Sequence, residues 1–300
     1  MSDRPTAAFV GLGAMGRPMA GRLLDAGFPL RGYNRTGAKA KQLAERGMVL
    51  CPSPRQAAEG AKWVVTMVRD DQAIAAVAEG QEGVLAGLGE GAIWLEMSTI
   101  SPAKSEELAS AAKERGASFL QAPVSGSVPH AESGSLTIIV SGDEEAYAAA
   151  EPVLSVLGST VKHVGALSAA LYLKLAINLS IGIQTVAFAE GLVFAHRCGI
   201  DSEKALEVLL ASAIASPMLK GRGPLALERP PEAWFDIGLM QKDIEIALDQ
   251  GRERSVPLPL SSLANQLFTA TRAVGLGDED VIAVYDLLDR LAGAAEASRR

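Results

Sequence analysis

The chain has 300 residues, 48% of them hydrophobic and 21% charged, with a formal net charge of −7. That balance describes a folded globular protein with room for two domains. An acidic net charge with no compensating basic run argues against a nucleic-acid partner. Cys51 and Cys198 fit no metal or redox spacing, and Met1–Thr6 lacks the basic-then-apolar pattern of a signal peptide, so reduced thiols and a cytoplasmic location are expected.

Residues 7–11, Ala-Ala-Phe-Val-Gly, form a short apolar run that enters Gly11-Leu12-Gly13-Ala14-Met15-Gly16. Met19, Leu23 and Leu24 follow at helical spacing as far as Gly27, and Leu30–Tyr33 reads as a second strand, completing a βαβ unit. The alternation continues with helices over 39–46, 54–59, 73–78 and 101–115. Strands are expected over 49–50, 63–68, 92–97, 118–121, 136–141 and 161–163. Trp63–Val68 is almost uninterruptedly apolar, as a central parallel strand covered on both faces requires. Strands alternating with helices predict an open, mostly parallel α/β sheet, here an N-terminal Rossmann-type dinucleotide-binding domain over residues 1–165.

After Gly165 the strand signals stop. Residues 167–197, 202–212, 238–251, 256–274 and 279–291 read as helices, giving an all-α C-terminal domain over 166–300 that begins with a long helix. Its uncharged run Leu175–Ala189 is shorter than the ~20 residues a membrane span needs and carries Asn178 and Gln184, so a buried helix is expected and no membrane partner. So long an apolar helix needs more cover than a small helical domain supplies, which points to self-association.

Gly11-x-Gly13-x-x-Gly16 follows a strand and opens a helix. The first glycine permits the tight turn, the second admits a pyrophosphate against the backbone, and the third packs helix on strand. Leu12, Ala14 and Met15 complete the loop, and the helix N-terminus offers N–H groups to phosphate. At the end of the second strand stand Asn34, Arg35 and Thr36, with no acid to bond a ribose 2′-hydroxyl. Arg35 can fork onto a 2′-phosphate and Thr36 can add a hydroxyl bond, so NADP(H) is preferred over NAD(H). The alternative reading of Arg35 is a solvated surface cation.

Lys174 is the single full charge in the stretch from Ala166 to Ala189. A lysine there is solvated by snorkelling, paired, or chemically employed. Asn178 lies one helical turn later, on the same face. Reduction of a carbonyl builds negative charge on its oxygen, and an ammonium beside that oxygen both stabilises the charge and donates a proton. Desolvation on an apolar helix is expected to lower the lysine pKa and ease that transfer.

Four separated motifs carry a family resemblance: Phe9–Gly16, Ala122-Pro-Val-Ser-Gly126, Lys174-Leu-Ala-Ile-Asn178 and Gln241-Lys242-Asp243. In order and spacing the chain resembles the β-hydroxyacid dehydrogenase (3-hydroxyisobutyrate dehydrogenase-like) family, from Phe9 to about Leu291. The resemblance implies Lys174 as the catalytic lysine with Asn178 as its companion. It implies Ser125, Gly126 and Ser127 as the loop that takes a substrate carboxylate, with Asp243 also toward the substrate. Met67, Val68, Thr99 and Lys242 match positions near the nicotinamide end of the cofactor. No metal is implied, and His130, His163 and His196 match no triad, although His130 lies beside the substrate loop.

Ser125-Gly126-Ser127, the single asparagine after Ile177 and the Asn34-Arg35-Thr36 signature resemble the glyoxylate/succinic semialdehyde reductase branch. They imply an NADP(H)-dependent oxidoreductase that interconverts a small aldehyde acid and its hydroxy acid. The family further implies a homodimer or homotetramer. Alternatives are 3-hydroxyisobutyrate dehydrogenase proper, an imine reductase-like activity, and a non-catalytic NADP-binding partner protein. Lys174 argues for carbonyl chemistry against the second.

Overall fold

The computed structural model describes residues 4–293. The chain divides into two compact units, Met1–Lys174 and Leu175–Arg300.

The first unit contains, among the described residues, strands β1 (Ala7–Val10), β2 (Leu30–Tyr33), β3 (Val49–Leu50), β4 (Trp63–Thr66), β5 (Ile93–Glu96), β6 (Ser118–Gln121), β7 (Val124–Ser125), β8 (Leu136–Gly142) and β9 (Gly158–His163). Between them run helices α1 (Gly16–Asp25), α2 (Lys41–Glu45), α3 (Pro54–Ala58), α4 (Asp71–Ala78), α5 (Val84–Gly87), α6 (Pro102–Glu114), α7 (Val128–Ser133) and α8 (Glu144–Leu157). The sheet order is β3-β2-β1-β4-β5-β6-β8-β7, with β9 beside β8. Pairing is parallel from β3 to β6 and between β8 and β9, while β8 runs antiparallel to β6 and β7.

Alternate residues of the central strands feed two cores, one on each face, as the period of a strand requires. Ala7, Phe9, Val65 and Leu95 join Met19 and Leu23 of α1 in one core. Ala8, Val10, Val64 and Trp94 join Ile74 and Leu108 in the other. Chain order reverses at β1, which lies between β2 and β4, and such switch points open a crevice at the carboxyl ends of the strands.

The structure corrects the sequence reading in several places. The apolar run at 63–68 is a strand only as far as Thr66, and that at 92–97 only as far as Glu96. Helices α5, α7 and α8 and strand β7 were not anticipated. The largest of these, α8, is capped by Asp143, whose carboxylate accepts the Ala146 N–H at 2.8 Å. Its Pro152 breaks the pattern a helix would otherwise show. Trp63 Nε1 donates to Ala149 O at 2.9 Å and fastens α8 to the sheet.

Cys51 is buried and Cys198 exposed, and neither is bridged. Burial pushes the Cys51 thiol above its ordinary range, against the pull of Arg31, which marks an unreactive thiol.

The second unit is built from the greater part of α9 (Ala169–Arg197), with α10 (Ser202–Ala211), α11 (Pro217–Arg222), α12 (Ile237–Glu253), α13 (Pro259–Ala273) and α14 (Val284–Leu291). The sequence reading lacked α11, a short helix opened by Ser216 and Pro217. The first turn of α9 belongs to the sheet-bearing unit. There Ala170 N–H donates to Ser141 Oγ at 3.2 Å and Leu171 is fully buried with Ile100 and Ala112. By length and composition α9 is long and apolar enough to cross a membrane, contrary to the shorter run read from the sequence. Of its most apolar window 44% is buried inside the protein; along the helix Leu171, Leu175, Asn178, Ala189 and Leu192 are buried, while Leu173 and Phe194 are exposed.

Candidate active site

The glycine-rich loop leaves β1 between the exits of β2 and β4. Gly11 has φ +98°, and a Cβ there would stand 2.2 Å from Met67 O. A Cβ at Gly16 would stand 1.9 Å from Gly11 O. Both glycines are therefore demanded by the turn itself. Gly13 differs, because a Cβ there would meet nothing within 4 Å. Met15 precedes α1 without a side-chain cap, and no acid stands in the first turn. A dinucleotide pyrophosphate fits these features: open backbone at Gly13 and a helix whose own first turn carries no carboxylate.

Asn34 ties this loop to the end of β2. Its Oδ1 accepts the Leu12 N–H at 2.9 Å, and its Nδ2 donates to Thr36 O at 2.9 Å. Arg35 and Thr36 are exposed beyond it. Met67 and Val68 follow β4 half-buried, and Thr99 follows β5 half-buried. Sequence reasoning missed Ser98, whose Oγ accepts the Val68 N–H at 2.8 Å and joins the two segments.

Ser125 ends the short β7 and pairs with Thr137 of β8. Gly126 turns the chain with φ +134°, a conformation that side chains resist. Ser127 then opens α7, and His130 Nδ1 accepts the Ser127 N–H at 3.2 Å. His130 thus fixes the Ser125–Ser127 loop by capping, a contact its nearness in sequence foreshadows.

Lys174 is buried, with 9% of its surface exposed, which leaves little room for a snorkelling head. Asn178, one turn along α9, is 1% exposed. On α12 the Gln241-Lys242-Asp243 triplet is divided among partners. Gln241 takes the α13 side, donating to Thr269 Oγ1 at 2.6 Å and accepting from Arg272 Nη1 at 2.6 Å. Asp243 accepts from Asn178 Nδ2 at 2.5 Å, and Lys242 Nζ lies 2.9 Å from its other oxygen. A carboxylate only accepts, so it fixes the Asn178 amide with its carbonyl oxygen turned away from Asp243. That oxygen is the atom suited to an ammonium or a substrate hydroxyl. Lys242 keeps 21% of its side chain exposed. Among the described residues no three His, Cys, Asp or Glu side chains assemble into a metal-ligand set.

Asp243 is the hinge of this cluster. Asp243→Ala is expected to cost about 2 kcal/mol of stability, since a buried amide loses a charged acceptor and the Lys242 ammonium an ion partner. A urea unfolding midpoint equal to that of the wild type would contradict this.

Residues 6–165 match the NAD binding domain of 6-phosphogluconate dehydrogenase, and residues 168–288 match the NAD-binding domain of NADP-dependent 3-hydroxyisobutyrate dehydrogenase. Glyoxylate/succinic semialdehyde reductase 1 of Arabidopsis thaliana is 35% identical over 93% of this chain and 96% of its own. The crystal structure of 3-hydroxyisobutyrate dehydrogenase from Salmonella typhimurium superposes with a TM-score of 0.89 at 28% identity, covering 95% of this chain and 100% of that one. Psf3, solved in complex with NADP+ and 2-OPP, superposes with a TM-score of 0.87 at 29% identity, covering 94% and 100%. The chain belongs to the β-hydroxyacid dehydrogenase family, NAD(P)-dependent oxidoreductases acting on the CH–OH group of hydroxy acids.

Proposed function

We propose that the protein is an NADP(H)-dependent reductase of small aldehyde acids of the glyoxylate or succinic semialdehyde type, with Lys174 as proton donor. The observation that carries the reading is a buried Lys174 one turn before an asparagine whose amide is oriented by Asp243. When bound, the reduced nicotinamide supplies hydride to the aldehyde carbon. Ser125 and Gly126 hold the substrate carboxylate through the backbone, so the aldehyde is presented in one orientation. The Lys174 ammonium stabilises the charge growing on the carbonyl oxygen and delivers the proton that completes the alcohol. Asn178 holds the lysine or the new hydroxyl in line. In the oxidative direction neutral Lys174 takes the proton back.

Steady-state rates on glyoxylate, succinic semialdehyde, methylmalonate semialdehyde and tartronate semialdehyde test the substrate class. The highest kcat/KM on either of the first two supports the reading. The highest value on methylmalonate semialdehyde would move it to 3-hydroxyisobutyrate dehydrogenase.

The NADP(H) preference rests on exposed Arg35 and Thr36 and on the absence of an acid beside them. Arg35→Glu is expected to raise the KM for NADPH by about tenfold or more, with NADH affected far less, because a fork onto the 2′-phosphate becomes a like-charge contact. An unchanged NADPH KM would remove the assignment. Exposed Phe194, Val208, Ile214, Leu260, Leu263 and Leu291 support self-association as a homodimer or homotetramer.

A further inference from the structure

Thr66, Glu96 and Gln121 end three adjacent parallel strands, β4, β5 and β6. They stand in one row, Thr66 opposite Glu96 and Glu96 opposite Gln121. All three are fully buried, in strands whose other positions are mostly apolar. Trp94 Nε1 donates to Thr66 Oγ1 at 2.8 Å, and the Thr66 hydroxyl donates to Glu96 Oε2. An indole only donates, so the hydroxyl's single proton is left for the carboxylate. The other oxygen, Glu96 Oε1, accepts the Ser98 N–H at 2.7 Å. Gln121 Nε2 spans the Glu96 and Ser98 carbonyls at 3.0 and 3.1 Å, and its Oε1 accepts from Ser105 Oγ at 2.8 Å.

The chain of bonds leads outward. Glu96 holds Ser98, and Ser98 Oγ holds the Val68 N–H at 2.8 Å. The segments so joined are the exits of β4 and β5 at the carboxyl edge of the sheet, where open α/β folds bind their ligands. We propose that Glu96 is a positioning residue for the dinucleotide. It fixes Met67-Val68 and Ser98-Thr99 in one arrangement and thereby sets how the nicotinamide end is seated. The proposal rests on the reading of Met67, Val68 and Thr99 as cofactor contacts. Glu96 acts through Ser98 and Val68. The link to Ser98 needs an acceptor at Glu96 Oε1, whereas Thr66 Oγ1 can either donate to the second oxygen or accept from a group in its place.

Glu96→Leu keeps the bulk and removes both acceptors, including the one that holds the Ser98 N–H. It is expected to weaken NADPH binding about tenfold, the usual scale for a lost hydrogen bond to a charged group, with the change in the NADPH KM and not in the aldehyde KM. In the cofactor-free protein it should also speed amide hydrogen exchange at Val68 and Ser98, with strand β1 unaffected. Ser98→Ala, which removes only the outer link, should shift NADPH affinity in the same direction by about threefold. Folded variants with wild-type NADPH affinity, or a lowered Tm with no change at Val68 and Ser98, would overturn the proposal. A wild-type protein that binds neither NADPH nor NADH would defeat the functional reading on its own. Exchange at Val68 and Ser98 still decides whether Glu96 holds the loops.

Discussion

Lys174→Ala is expected to lower turnover by about 10²–10⁴-fold, the usual worth of a positioned acid or base, while NADPH binds within about twofold of wild type. The lysine is buried on a helix whose neighbouring positions Leu171 and Leu175 are apolar. Asn178 is itself held by Asp243, so the companion group survives the substitution. Lys174→Arg sharpens the test. Guanidinium keeps the positive charge but does not release a proton near neutral pH. A variant as impaired as alanine identifies proton donation as the main contribution, and partial recovery identifies electrostatic stabilisation. Turnover close to wild type in Lys174→Ala would remove the lysine from the mechanism.

Gly13→Asp is expected to separate folding from binding. Gly11 and Gly16 are glycines because any Cβ collides with the loop backbone, whereas Gly13 faces open space. Its φ lies outside the left-handed region, so a side chain is tolerated there. An aspartate ahead of α1 favours the helix N-terminus, and the cost to folding should stay within about 0.5 kcal/mol. The same carboxylate opposes a pyrophosphate, and a like-charge contact of several kcal/mol corresponds to at least about 100-fold weaker NADPH binding. Thermal unfolding beside an NADPH titration reads both effects. A protein that lost stability and kept its affinity would reverse the assignment of the loop.

The first half of the fold is legible because glycine spacing and strand–helix alternation are local signals. The β1–α1 turn announces itself through Gly11, Gly13 and Gly16, each with its own physical reason. Helix α8 is less legible, since Pro152 interrupts a pattern that the Asp143 cap and packing under Trp63 restore. Substitution of tertiary contacts for local preference also explains β7, which exists because β8 pairs with it. At the site, Lys174 stood out by charge and Asn178 by spacing. The bond from Asn178 to Asp243 joins residues 65 positions apart and has no trace in either segment alone. Glu96 left a fainter mark: three neighbouring strands each close on a polar residue, Thr66, Glu96 and Gln121. Read strand by strand, those residues pass for single polar interruptions within or at the end of apolar runs. Their meaning emerges only once the parallel register lines them up.

The proposed reaction is hydride transfer from NADPH to a small aldehyde acid. It is tested most directly by incubating the wild-type protein with succinic semialdehyde or glyoxylate and NADPH deuterated at the transferable C4 position. The expected product is a hydroxy acid carrying deuterium on its carbinol carbon, formed in step with NADPH oxidation and lost in Lys174→Ala. Unreduced aldehyde acids alongside a cyclic imine that does acquire the label would contradict it.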